Sequence, residues 1–230
     1  MAFIQAEMKL SDVILHEPSL IPVINRFGIF LGLGDKTIRT ICDEKKLDTD
    51  FFLSILNTFI HANYFPENKF RSFCANQIVD YLTKTNVSYE RFLLPNIERH
   101  LNSFIERSDP DNINLEVLRK FFTLFKKELK TRIEEDNSTV FPTIRNLSKQ
   151  YNADELYLEA KEAETDVLEE KLLDMKSIII KHLSGEFDEN LCYAVLIAIC
   201  NLEKDINQHN RIRNKILFPI AEALNKANAK

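Results

Sequence analysis

Apolar positions recur along this chain at intervals of three and four, the spacing that lines one face of an α-helix. The last long stretch carries the pattern most plainly. Val195, Ile199, Leu202 and Ile206 form a seam, His209 and Arg213 take its next two positions, and Ile216, Ile220 and Leu224 resume it. A second seam of Leu118, Phe122, Phe125 and Leu129 leads into Arg132 and Asp136 and continues through Val140 and Ile144. Leu168, Leu172, Met175 and Ile179 make a third. Leu82, Asn86, Tyr89, Leu93, Ile97 and Phe104 make a fourth. These seams predict four long helices at about residues 68–107, 115–149, 153–183 and 191–224, the first open to interruption near Thr85-Asn-Val-Ser88. Asp109-Pro-Asp-Asn112 reads as a turn, and Gly185 as the close of the third helix. Long helices joined by short loops imply an all-α, up-down-up-down four-helix bundle.

Ahead of the bundle, residues 11–63 read as a small three-helix unit. Glu17-Pro18 can open a helix, because Pro is tolerated in the first turn, and Gly28 can end it. Asp35 and Asp48 are the expected N-caps of two further helices, about 36–46 and 49–62. Tyr64-Phe-Pro-Glu67 is a natural boundary, since the residue before a Pro is steered away from helical geometry. The expected division is therefore a helical N-terminal domain, 1–65, and a bundle, 66–230.

The second and fourth helices repeat one another. Glu128-Leu129, Arg132, Asp136-Asn137 and Phe141-Pro142 align without gaps on Asp205-Ile206, His209, Arg213-Asn214 and Phe218-Pro219, at a constant offset of 77 residues. Each helix thus breaks its apolar stripe with two polar residues about one turn apart and ends in Phe-Pro, where a bend is expected. In an up-down bundle, the starts of the first and third helices lie beside the ends of the second and fourth. That brings Asn86, Tyr89 and Thr165 to the depth of Arg132, Asp136, His209 and Arg213. The sequence predicts a buried polar layer made of these seven residues, with Asp136 as the direct counter-charge of Arg132 and a helix-three carboxylate, Glu164 or Asp166, beside them.

The composition agrees with an ordinary globular protein. The 230 residues are 45% hydrophobic and 28% charged, with four Gly and no Trp, which favours helix over sheet. A net charge of −5 argues against a basic nucleic-acid surface. No window approaches the ~20 apolar residues that span a bilayer, and the N-terminus lacks the pattern of a signal peptide. Cys42, Cys74, Cys192 and Cys200 show no metal-type spacing. A cytoplasmic protein is expected.

The two Phe-Pro endings, their spacing and the domain order resemble hemerythrin-like bundles, and in particular the iron–sulfur-cluster repair di-iron proteins. The stretch Asn25-Arg-Phe-Gly-Ile-Phe-Leu-Gly-Leu-Gly34 through Ile41-Cys42 is similar to the small N-terminal domain of that family. The resemblance implies His-x3-Glu on helices two and four, further His on one and three, and carboxylates bridging two irons. This chain departs from that pattern. His209 keeps a ligand position, but Arg213 replaces its Glu partner. Arg132 replaces the other His, Asp136 keeps a carboxylate, and Asn86 and Thr165 stand where further His would be. The family's Cys-Cys pair is absent before Gly34. Arg stays protonated and does not ligate metal, so His209 and Asp136 are the only remaining, weak metal candidates. No cofactor is favoured; non-heme iron is the alternative.

Other candidates read as structural. His100 lies at the edge of an apolar face, His182 near the far end of the third helix, and His16 and His61 in the N-terminal unit without visible partners. Nothing resembles a phosphate-binding Gly loop, a nucleophile triad or HExxH, so catalytic residues are not predicted. The expectation is a non-enzymatic sensing, regulatory or interaction protein. It would meet a protein partner through its N-terminal unit and bind neither membrane nor nucleic acid. The alternative is a non-heme iron stress protein acting in iron–sulfur cluster repair or a redox or nitric-oxide response.

Overall fold

The computed structural model describes residues 3–67, 69, 73, 75–109, 111–148 and 166–228. Among these the fold is all-helical, without a strand; one isolated β-bridge joins Lys9 and Thr37. No helix among the described residues is long and apolar enough to cross a membrane. By contact the chain divides into two compact units, neither continuous in sequence. One comprises 1–84, 144–161 and 212–230, the other 85–143 and 162–211.

The first unit opens with short helices, Leu10–His16 and Ile21–Asn25, separated by a single 3-10 turn at Pro18–Leu20. Gly28, at φ +71°, follows them. Thr37, not the expected Asp35, caps the helix Ile38–Lys45, its hydroxyl accepting from the Thr40 N–H at 3.2 Å. Asp35 instead pairs with Lys9 at 2.9 Å. Asp48 does cap Thr49–Ile60, taking the Phe51 N–H at 2.9 Å. Phe52, Ile55, Leu56, Leu10, Leu20 and Ile24 form a sealed apolar interior.

In the second unit four helical runs contribute to one core. Ile97, Leu101 and Phe104 come from Leu94–Glu106, and Leu118, Phe122, Phe125 and Leu129 from Ile113–Glu135. Leu168, Leu172 and Met175 come from Val167–Ser177, and Val195, Ile199, Leu202 and Ile206 from Glu189–Ile212. The seams read from spacing are thus the buried faces, each such side chain contributing about 1.5–3 kcal/mol by leaving water. The turn after the first run is tied down by the Asp109 N–H on the Glu186 carbonyl at 3.0 Å. Asn112 caps the next helix and bonds the Ser184 carbonyl. Of the third expected helix, 153–165 lie outside the described residues, Glu164 and Thr165 among them.

Each run contains one π-helical turn, at Tyr89–Leu93, Asp136–Val140, Ile178–His182 and Arg213–Leu217. Three precede an apolar–Pro pair, and in these the N–H of Leu94, Phe141 and Phe218 reaches back five residues to the carbonyls of Tyr89, Asp136 and Arg213. A proline ring inside an α-helix collides with the carbonyl four residues earlier. Those carbonyls belong to Arg91, Ser138 and Lys215, each inside a widened turn, which moves it aside. The extra residue also shifts the seam by one position. Leu94 and Phe141 are buried where Leu93 and Val140 were expected, and those two are half-buried. The Phe-Pro repeat read from sequence therefore has a third member, Leu94-Pro95, at an offset of 47 residues from Phe141-Pro142.

Candidate functional site

The polar layer is built where the helix Glu189–Ile212 stops being amphipathic. Asp205, Ile206, Gln208, His209 and Asn210 are all at most 5% exposed, so the helix is enclosed on nearly every side there. Polar groups in such a place must find partners or carry a desolvation penalty. Two sets of contacts are formed within the second unit.

In the first, Tyr89 sits against the helix, its ring centroid 5.7 Å from that of His209 and its hydroxyl 3.5 Å from Asp205 Oδ1. The π-helical turn starting at Tyr89 sets its ring pointing inward, and the residue is sealed from solvent. Asn86, one turn earlier, is equally buried, and its side-chain Nδ2 has no hydrogen-bond partner among the described residues. Asp136 has no exposed surface.

The second set centres on Arg132. Its Nη1 lies 2.9 Å from Asp166 Oδ2 and its Nη2 3.0 Å from Asp166 Oδ1, a two-pronged guanidinium–carboxylate fork. Nη1 also donates to Asn210 Oδ1 at 3.1 Å, and Asn210 Nδ2 donates to Glu169 Oε1 at 2.7 Å. The Asn210 amide thereby bridges a cation and an anion, with both its polar ends engaged. Asp166 also accepts the Leu168 N–H at 2.9 Å and so caps the helix Val167–Ser177. Asp166, one of the two helix-three carboxylates expected beside the layer, forms an ion pair with Arg132.

Arg213, grouped by contact with the first unit, is half-buried. Its guanidinium carbon lies 4.2 Å from the Phe218 ring centroid, a cation–π contact, and Nη1 is 3.4 Å from Asn214 Oδ1. The other histidines lie elsewhere. His16 and His182 are exposed; His100 is half-buried; His61 packs its ring against Phe3 at 4.6 Å. Sequence reasoning missed Asp205, Asn210 and Glu169. Asp205 carried a usable signal, one turn before His209 on the same helix. Glu169 and Asn210 become partners only through contacts across 41 residues of chain.

Among the described residues the donor set does not match a pair of irons. One imidazole, His209, is present in the layer, while a guanidinium that cannot ligate takes up Asp166. Among the described residues no group of three or more His, Cys, Asp or Glu is arranged to hold a metal ion. What this arrangement can do is hold buried charge in a fixed, hydrogen-bonded form. No protein-family model matches the chain, and no curated protein matches it either.

Proposed function

We propose that this chain is a non-enzymatic sensing, regulatory or interaction protein on a hemerythrin-like, up-down four-helix bundle. In this reading a small N-terminal domain, 1–65, precedes the bundle, 66–230. A polar layer of Asn86, Tyr89, Arg132, Asp136, Thr165, His209 and Arg213 stands in place of a di-iron centre. The observation that carries the reading is the fork between Arg132 and Asp166, extended through Asn210 to Glu169. A fixed guanidinium supplies the positive charge that a metal would otherwise bring, and carboxylates that would ligate pair with it instead. With metal chemistry replaced by side-chain pairing, the bundle retains its recognition surfaces, and the N-terminal domain is the surface assigned to a protein partner.

Metal analysis of the full chain, purified after iron-supplemented expression, tests this. The expected result is substoichiometric iron, with helicity and melting temperature unaffected by a chelator. Two irons per chain with a visible oxo-bridge absorption band would overturn it. That outcome would favour the non-heme iron stress protein acting in iron–sulfur cluster repair.

A further inference from the structure

The first unit holds a cavity of about 340 Å³, within the size range of small-molecule sites. The helix Ala75–Ser88 lends it one face, with Gln77, Tyr81 and Lys84 spaced by four and three residues. Its walls are aromatic: Phe27 stacks on Tyr81 at 5.4 Å with an interplanar angle of 26°, and Phe51 meets Phe27 edge-on at 6.2 Å. Behind them lies Arg26, only 5% exposed. Its Nη1 donates to the Tyr81 hydroxyl at 3.2 Å, and its guanidinium carbon lies 5.8 Å from that ring's centroid.

The charge around this cavity is uneven. Two carboxylates line it: Asp80 is held in an ion pair, while Asp48 keeps its charge and caps a helix. Asp48 accepts the Phe51 N–H at 2.9 Å, and Asp80 binds Arg145 at 2.5 Å. Lys46 and Lys84 line it too, and neither forms an ion pair among the described residues. Lys46 is also the one non-glycine residue described with positive φ, +55°. That left-handed position ends the helix Ile38–Lys45, where glycine or asparagine is the usual choice. A lysine stands there against backbone preference, at the rim of the cavity.

We propose that this cavity binds an aromatic organic phosphate of mononucleotide size. The planar portion packs on the half-buried Phe27 ring, which buried Tyr81 and Phe51 back from within, and the dianionic phosphate meets the exposed Lys46 and Lys84. The inference does not depend on the fate of the polar layer or on any metal.

Isothermal titration calorimetry of the full chain with adenosine monophosphate, neutral adenosine and inorganic phosphate tests it. Saturable binding of the nucleotide is expected, with adenosine and phosphate alone each weaker by about tenfold or more. The variant Lys46→Gly/Lys84→Ala places residues that suit the local backbone, so its melting temperature should hold while nucleotide affinity falls at least about tenfold. Four results would overturn the proposal: no saturable nucleotide binding at millimolar concentration; adenosine binding as tightly as its phosphate; inorganic phosphate binding as tightly as the nucleotide; or equal affinity in the double variant.

Discussion

Replacing Asp166 by alanine should remove two interactions together, and the structure gives a way to separate them. The carboxylate caps the helix Val167–Ser177 through the Leu168 N–H and receives the Arg132 fork. Loss of an N-cap costs about 1 kcal/mol. The ion pair is neither open nor sealed, with side-chain exposures of 21% for Arg132 and 11% for Asp166. Its loss therefore falls between the roughly 0.5 kcal/mol of a surface pair and the ~3–5 kcal/mol of breaking a buried one, at about 2 kcal/mol. Asp166→Ala should thus lower unfolding free energy by about 3 kcal/mol. Asp166→Asn keeps the capping oxygen but loses the charge, so it should lose about 2 kcal/mol. Urea unfolding followed by far-ultraviolet circular dichroism measures both. A cycle with Arg132→Met should return a coupling of about 1.5 kcal/mol, independent of the cap. A coupling below about 0.3 kcal/mol would refute the reasoning, because the fork would then contribute nothing beyond the separate residues.

Three further outcomes are expected. Asp136 has no exposed surface, so Asp136→Ala should destabilise by about 3–5 kcal/mol if its charge is paired in the layer; an unchanged melting temperature removes Asp136 from the layer's stability. Deleting exposed Thr139, together with Pro142→Ala, returns the turn Asp136–Val140 to α spacing and keeps Phe141 and Ile144 inward. That variant should still unfold cooperatively, whereas deleting exposed Thr123 rotates every later side chain by about 100° and should abolish the transition; equal behaviour of the two deletions contradicts the assigned register. Burial pushes the Cys42 thiol pKa up, so the native state holds its proton more tightly than the unfolded chain does. Its contribution to stability is complete below the thiol's ordinary range near about 8.5 and is lost as pH climbs through the raised value. Iodoacetamide at mildly alkaline pH should modify Cys42 only after urea is added, and native labelling at the unfolded rate would disprove its protection.

Much of this protein is decided within short windows of its sequence. Spacings of three and four mark Leu118, Phe122, Phe125 and Leu129, and Val195, Ile199, Leu202 and Ile206, as the inward faces, because keeping them in water would raise the free energy of any helix with that pattern. Asp48 as an N-cap and Phe-Pro as a site of distortion are equally local, resting on one side chain and the backbone beside it. Other features are not local. An α-helix and a π-helical turn place the same five residues on different faces, and packing selects Phe141 over Val140 and Leu94 over Leu93. The layer's charge pairing is the clearest case. From sequence, Arg132 has several candidates, Asp136 four residues on and Glu164 or Asp166 on the third helix; its fork closes on Asp166 and its third contact on Asn210, 78 residues away. Spacing along a helix tells which side chains share a face. The choice among acceptors within reach of a long guanidinium belongs to the helices packed opposite, because only their positions fix which carboxylate meets its planar fork.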